Sequence, residues 1–223
     1  MDRAIGESNI SSSKHVRNLL ELGLLTWMTG GDQDRSLSLM KDSLGILRNL
    51  NKPRELAIVL CEIVEPLLQS CERDACMKYS EEALEFAREL GKPGMINYCL
   101  IYFCTVLIHT RQYEKEKPLV EELLDSSEKL ENIWGIESAL QYLGDCGIGT
   151  KEYIEGEKWY AQGVETSFKH GTLWLAAFDT QGIAFTLSGQ GRYAKAIRLE
   201  APAREQLKQV GIEPDGMYDF WDE

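Results

Sequence analysis

Leu50, Leu90, Leu130, His170 and Val210 stand forty residues apart, each closing a segment opened by a polar or glycine-containing turn. A repeat of this length cannot bury its own apolar face, so every unit has to stack on the next. The pattern therefore predicts an all-α chain, an α-α superhelix (solenoid) of about five antiparallel helix pairs in right-handed array. At 223 residues, with 43% hydrophobic and 27% charged residues, there is enough apolar material for a sizeable core.

The hairpins are expected at residues 13–50, 54–90, 94–130, 133–170 and 173–210. Their internal turns fall at Gly30-Gly31-Asp32, Cys71-Glu72-Arg73, Arg111-Gln112, Thr150-Lys151 and Gly189-Gln190-Gly191. Helix-stopping chemistry links them, at Asn51-Lys52-Pro53, Gly91-Lys92-Pro93, Gly171 and Gly211. In register, Leu20, Leu60, Leu100 and Leu140 form a seam on the first helices, and Thr180 departs from it. The second helices carry two large ladders, one of Leu39, Tyr79, Leu119, Trp159 and Leu199, the other of Leu44, Leu84, Leu124 and Val164. Small-residue rows accompany them: Ser43, Ala83, Gly163 and Ala203, interrupted by Leu123, and Ser36, Cys76, Gly156 and Ala196, interrupted by Glu116. Small beside large lets helices approach closely. Prolines 66, 118 and 202 fall inside helical stretches and predict kinks there. Residues 1–12 are polar and read as a disordered lead, and residues 211–223 as a C-terminal cap or truncated helix carrying Met217, Tyr218, Phe220 and Trp221.

Several classes of chemistry are argued against. A net charge of −12 repels phosphate backbones and anionic membranes, and no basic stripe relieves it, so neither nucleic acid nor membrane is an expected partner. The apolar stretches, such as residues 98–108, are shorter than the roughly 20 residues a membrane helix needs, and residues 1–13 lack the centre of a signal peptide. A cytoplasmic protein with reduced cysteines follows, which makes the Asn9-Ile10-Ser11 sequon meaningless. Cys71/Cys76 and Cys99/Cys104 would point about 140° apart on a helix, and only three histidines exist, so no metal site is expected. No glycine-rich loop ends in Lys-Ser or Lys-Thr, and His109 with neighbouring acids forms no defined triad. The chain is expected to have no cofactor and not to be an enzyme.

Gly191-Arg192-Tyr193-Ala194-Lys195-Ala196-Ile197, and Leu143-Gly144 followed by Lys151-Glu152-Tyr153, resemble the tetratricopeptide repeat (TPR). The resemblance spans residues 13–210, strongest in the last two units, with units longer than usual and Gly147 where an aromatic is expected. Residues 189–207 are also similar to the C-terminal repeat or sensor regions of bacterial signalling ATPases, transcription regulators and adenylate cyclases. This implies a protein-interaction module, a scaffold or sensor.

Carried over by register, the resemblance assigns to a concave groove Asn18, Glu21, Leu25, Ile58, Cys61, Glu65, Tyr98, Tyr102, Thr105, His109, Gln141, Tyr142, Asp145, Phe178, Gln181 and Phe185. Aromatics and acids dominate and lysine and arginine are missing, which fits a peptide or protein segment carrying basic and apolar side chains. The competing reading is that these aromatics only fill the interior. A further expectation is self-association into a homodimer, or an autoinhibitory contact with an adjoining catalytic or DNA-binding domain, through the last unit or through Phe220 and Trp221.

Overall fold

The computed structural model of the protein describes residues 2–209 and Gly211, with side chains from residue 14 onward. All regular structure among them is helical: α1 (Asp2–Met28), α2 (Gln33–Leu50), α3 (Pro53–Glu62), α4 (Val64–Gln69), α5 (Arg73–Leu90), α6 (Pro93–His109), α7 (Tyr113–Lys129), α8 (Ile133–Gly149), α9 (Tyr153–His170), α10 (Leu173–Gly189) and α11 (Tyr193–Gln209). First helices begin at 53, 93, 133 and 173 and second helices at 33, 73, 113, 153 and 193, so the expected forty-residue period is met.

Backbone conformation at the turns keeps the same register. Left-handed residues occur between hairpins at Asn51, Gly91, Glu131, Gly171 and Gly211, and within hairpins at Cys71, Arg111, Lys151 and Gly191, with Gly30 one residue ahead of register. A left-handed residue after a helix lets a later N–H turn back onto the final carbonyls. Accordingly Asn132 N–H donates to the Ser127 carbonyl at 2.9 Å, Thr172 to Ser167 at 2.9 Å and Arg192 to Leu187 at 2.8 Å. Asp32 caps α2 by accepting from the Arg35 N–H, and Asn132 caps α8 by accepting from the Gly135 N–H.

The chain divides into two compact units, residues 1–106 and 107–223, with α6 passing through the division. In the first unit α1 packs on α2, α2 on α3 and α4, and both of these on α5. In the second, α7 packs on α8, α8 on α9, α9 on α10 and α10 on α11, and α8 also touches α10. The deepest positions of the second helices are the rows containing small residues. Ser36, Cys76, Glu116, Gly156 and Ala196 are all buried, as are Ser43, Ala83, Leu123, Gly163 and Ala203. The ladder from Leu39 to Leu199 is only half-buried. On the first helices Leu60, Leu100 and Leu140 are buried, while Leu20 and Thr180 are half-buried.

Two sequence expectations need correction and one lies out of reach. Helix α1 begins at Asp2, so residues 2–12 are helical rather than a disordered lead. Once packing nucleates a helix, extending it adds one hydrogen bond per residue fixed, and this polar stretch has no proline to stop it. The prolines also divide: α3 ends and α4 begins around Ile63, as expected where Pro66 cannot donate to the Glu62 carbonyl, whereas α7 and α11 run unbroken through Pro118 and Pro202. Apart from Gly211, the cap or truncated helix expected over 211–223 lies outside the described residues.

Candidate functional site

In the first unit, Tyr98 and Tyr102 lie one turn apart on α6, so their rings meet. Their centroids are 5.0 Å apart with planes tilted by 55°, and the hydroxyl oxygens are 3.4 Å apart. The Tyr98 hydroxyl also donates to the Glu62 carboxylate at the end of α3. Burial, followed by the charge of the neighbouring tyrosine for Tyr98 and of Glu62 for Tyr102, pushes both phenols above their ordinary range. Glu65, on α4, is half-buried, and burial raises its pKa. Thr105 is half-buried and donates to the Ile101 carbonyl of its own helix at 3.0 Å. Beside Tyr98 an open cavity of about 730 Å³ is bordered by Arg54, Ile58, Lys92 and Met95. Cys61 is buried, with its sulfur 3.6 Å from that of Cys99, and Asn18, Glu21 and Leu25 are exposed on α1.

In the second unit, His109, Gln141, Tyr142, Phe178 and Phe185 are half-buried. Phe178 meets Trp174 edge-on at 5.8 Å and 84°, a pairing of i and i+4 side chains along α10. Asp145 and Gln181 are placed differently, at 6% and 2% exposure, inside the unit rather than open to a ligand. The Asp145 carboxyl accepts from the Tyr160 hydroxyl of α9. Tyr160 itself is only 1% exposed, its ring wedged against Gly144 of α8 and Gly182 of α10.

The same interior holds acids that the sequence reading did not place in any site. Glu116 on α7, Glu137 on α8 and Asp179 on α10 are all buried, and neither oxygen of Glu116 or Asp179 has a hydrogen-bond partner. Burial, then the charge of Asp145, pushes Glu116 up to about 9, with the weak Cys146 thiol donor offsetting only part. Burial likewise raises Asp145 to about 7 against the Tyr160 hydrogen bond, and raises Asp179 well above its ordinary range with help from Asp145 and Glu137. A signal for two of them existed in the repeat register. Asp179 breaks the column Val59, Cys99, Ala139, and Glu116 the column Ser36, Cys76, Gly156, Ala196, so each acid stands where other units place small or apolar residues.

Among the described residues no group of three or more His, Cys, Asp and Glu side chains is arranged to hold a metal ion, and no helix is long and apolar enough to cross a membrane.

The stacked hairpins define a TPR-like helical-repeat fold, the class shared by the solved structures that this chain resembles. One is a Rap protein complexed with Competence and Sporulation Factor, at TM-score 0.76 and 16% identity over 92% of this chain and 56% of that one. A second is aspartyl phosphate phosphatase F from Bacillus subtilis, at TM-score 0.74 and 14% identity over 97% of this chain and 56% of that one. A third is a kinesin light chain from Podosopora anserina with nearly identical TPR-like repeats, at TM-score 0.70 and 11% identity over 88% of this chain and 96% of that one. This chain thus spans little more than half the length of the first two. No protein-family profile matches it, and no curated protein matches it in sequence.

Proposed function

We propose that this chain is a non-catalytic, cytoplasmic protein-interaction module, a scaffold or sensor, that binds a peptide or protein segment on the faces of its first helices. Each unit carries its own stretch of that surface: Glu65, Tyr98, Tyr102 and Thr105 in the first, His109, Gln141, Tyr142, Asp145, Phe178, Gln181 and Phe185 in the second. The observation that carries the reading is the Tyr98–Tyr102 pair, half-buried, anchored on Glu62 and bordering an open cavity. Rigid aromatic surface held by an acid suits a segment with basic and apolar side chains. The similarity to a Rap protein complexed with a signalling factor supports a peptide ligand.

The test is a fluorescence-anisotropy screen of short basic-apolar peptides, followed by Tyr102→Ala and Tyr142→Ala, singly and together. Affinity lost with the melting temperature retained supports the reading. Stability losses of about 3–5 kcal/mol, as for truncated core aromatics, would show that these rings only fill the interior.

A second reading, self-association or a contact with an adjoining catalytic or DNA-binding domain, is favoured by the outer side of α11. Tyr193 and Ile197 are 63% and 66% exposed there and border, with Phe185, a small cavity of about 150 Å³. Light scattering of the chain and of Ile197→Asp separates the two readings, because only assembly through α11 predicts a concentration-dependent dimer that the variant abolishes.

A further inference from the structure

Asp179 enters the interior of the second unit from α10 with 0% exposure, and its carboxyl fills the space that Gly163 of α9 leaves without a side chain. Neither of its oxygens has a hydrogen-bond partner, and the same holds for Glu116, also 0% exposed, from α7. Glu137 of α8 is 3% exposed with one oxygen unpartnered, and Asp145 of α8 is held by Tyr160 of α9. The titratable groups that face one another are therefore Tyr113 and Glu116 from α7, Glu137, Asp145 and Cys146 from α8, Tyr160 from α9 and Asp179 from α10. The charges that act on Glu116 and Asp179 are those of other acids.

Burying an ionised carboxylate without a cation or a set of donors costs far more than protonating it first. We propose that the second unit folds around protonated carboxyls at Glu116, Asp145 and Asp179, which makes its packing a switch worked by proton concentration. The groups that would have to ionise sit at the contacts of α7, α8, α9 and α10, so charging them loosens the unit from within. The direction follows from linkage. In each case the folded chain holds a proton that the unfolded chain has released, so the stabilisation is complete below about pH 4 and is lost as pH rises. The loss ends near pH 7 for Asp145 and near pH 9 for Glu116. The inference concerns the core of the second unit and does not depend on any ligand of the first-helix faces.

The test is urea unfolding of the full chain between about pH 5.5 and about pH 8.5, where each proton held only by the folded state raises the unfolding constant about tenfold per pH unit. Hydrogen exchange, corrected for its intrinsic pH dependence, should place the loss of protection in peptides from α8, α9 and α10. Asp179→Asn and Glu116→Gln imitate the protonated forms, and each should remove one proton's share of the slope. An unfolding constant that stays level or falls as pH rises, or slopes unchanged in both variants, overturns the proposal. If a variant fails to fold, the infrared carbonyl band of protonated carboxyls in the unaltered chain decides: present at neutral pH and lost on unfolding, it supports the proposal, and absent, it overturns it.

Discussion

The backbones of Gly147 in α8 and Gly156 in α9 touch: a Cβ on Gly147 would lie 2.6 Å from the Gly156 Cα and 2.7 Å from its nitrogen. Backbone cannot swing aside as a side-chain tip can. Gly147→Ala should therefore destabilise the chain by about 1–3 kcal/mol despite the better helix propensity of alanine. Gly45, in α2, meets nothing within 4 Å, so Gly45→Ala should stabilise by about 0.5–1 kcal/mol. Chemical denaturation of the two variants side by side reads both signs.

Glu131 holds φ at 52°, in the register position that glycine fills at 91, 171 and 211. A side chain in that conformation costs about 1 kcal/mol, which Glu131→Gly should recover. Gly171→Ala should lose a similar amount. Opposite shifts in the urea midpoint at unchanged m-value would check the pair.

Tyr98→Phe removes the donor to Glu62 and leaves the ring against Tyr102. A hydrogen bond to a charged group contributes about 1.5–3 kcal/mol, and partial exposure places this one toward the low end. Thermal unfolding at neutral pH measures the loss. A variant as stable as the parent would show that the hydroxyl serves something other than the fold.

Tyr160→Phe takes away the hydrogen bond that favours the charged form of Asp145, so the Asp145 pKa, near 7 in the parent, should move higher. Because the folded pKa lies above the unfolded value, the fall in stability with rising pH should then continue past pH 7 before levelling. The slope stays at about 1.4 kcal/mol per pH unit for this one proton. Stability measured across the neutral range in both chains locates the two end points.

What the sequence made legible follows from turn chemistry and spacing. Gly91, Gly171 and Pro53 mark helix ends by local sterics alone, and a fixed period carries those marks to turns without them, as at Glu131 and Lys151. The depth of the small-residue rows was legible for the same reason. Less legible was which departures from the repeat matter. Gly147 and Glu116 were visible as exceptions, but whether a glycine meets backbone and an acid meets solvent depends on the facing helix, which no single unit encodes. Asp145 and Gln181 show the converse. Register carried from a family set them on a ligand surface, while the approach of α8, α9 and α10, permitted by Gly144, Gly163 and Gly182, drew them inside.

The recurrence of one backbone conformation every forty residues has a consequence for how such a chain changes length. Tyr113 rests on Gly149 and Tyr153 on Gly189, forty residues on, so the seat offered by one hairpin fits the knob of the hairpin before its neighbour. Recombination between any two left-handed turns joins ends of matching geometry. A gene of this kind can shed or duplicate a hairpin as an interchangeable cassette, and the new junction inherits both its turn and its packing partner ready made.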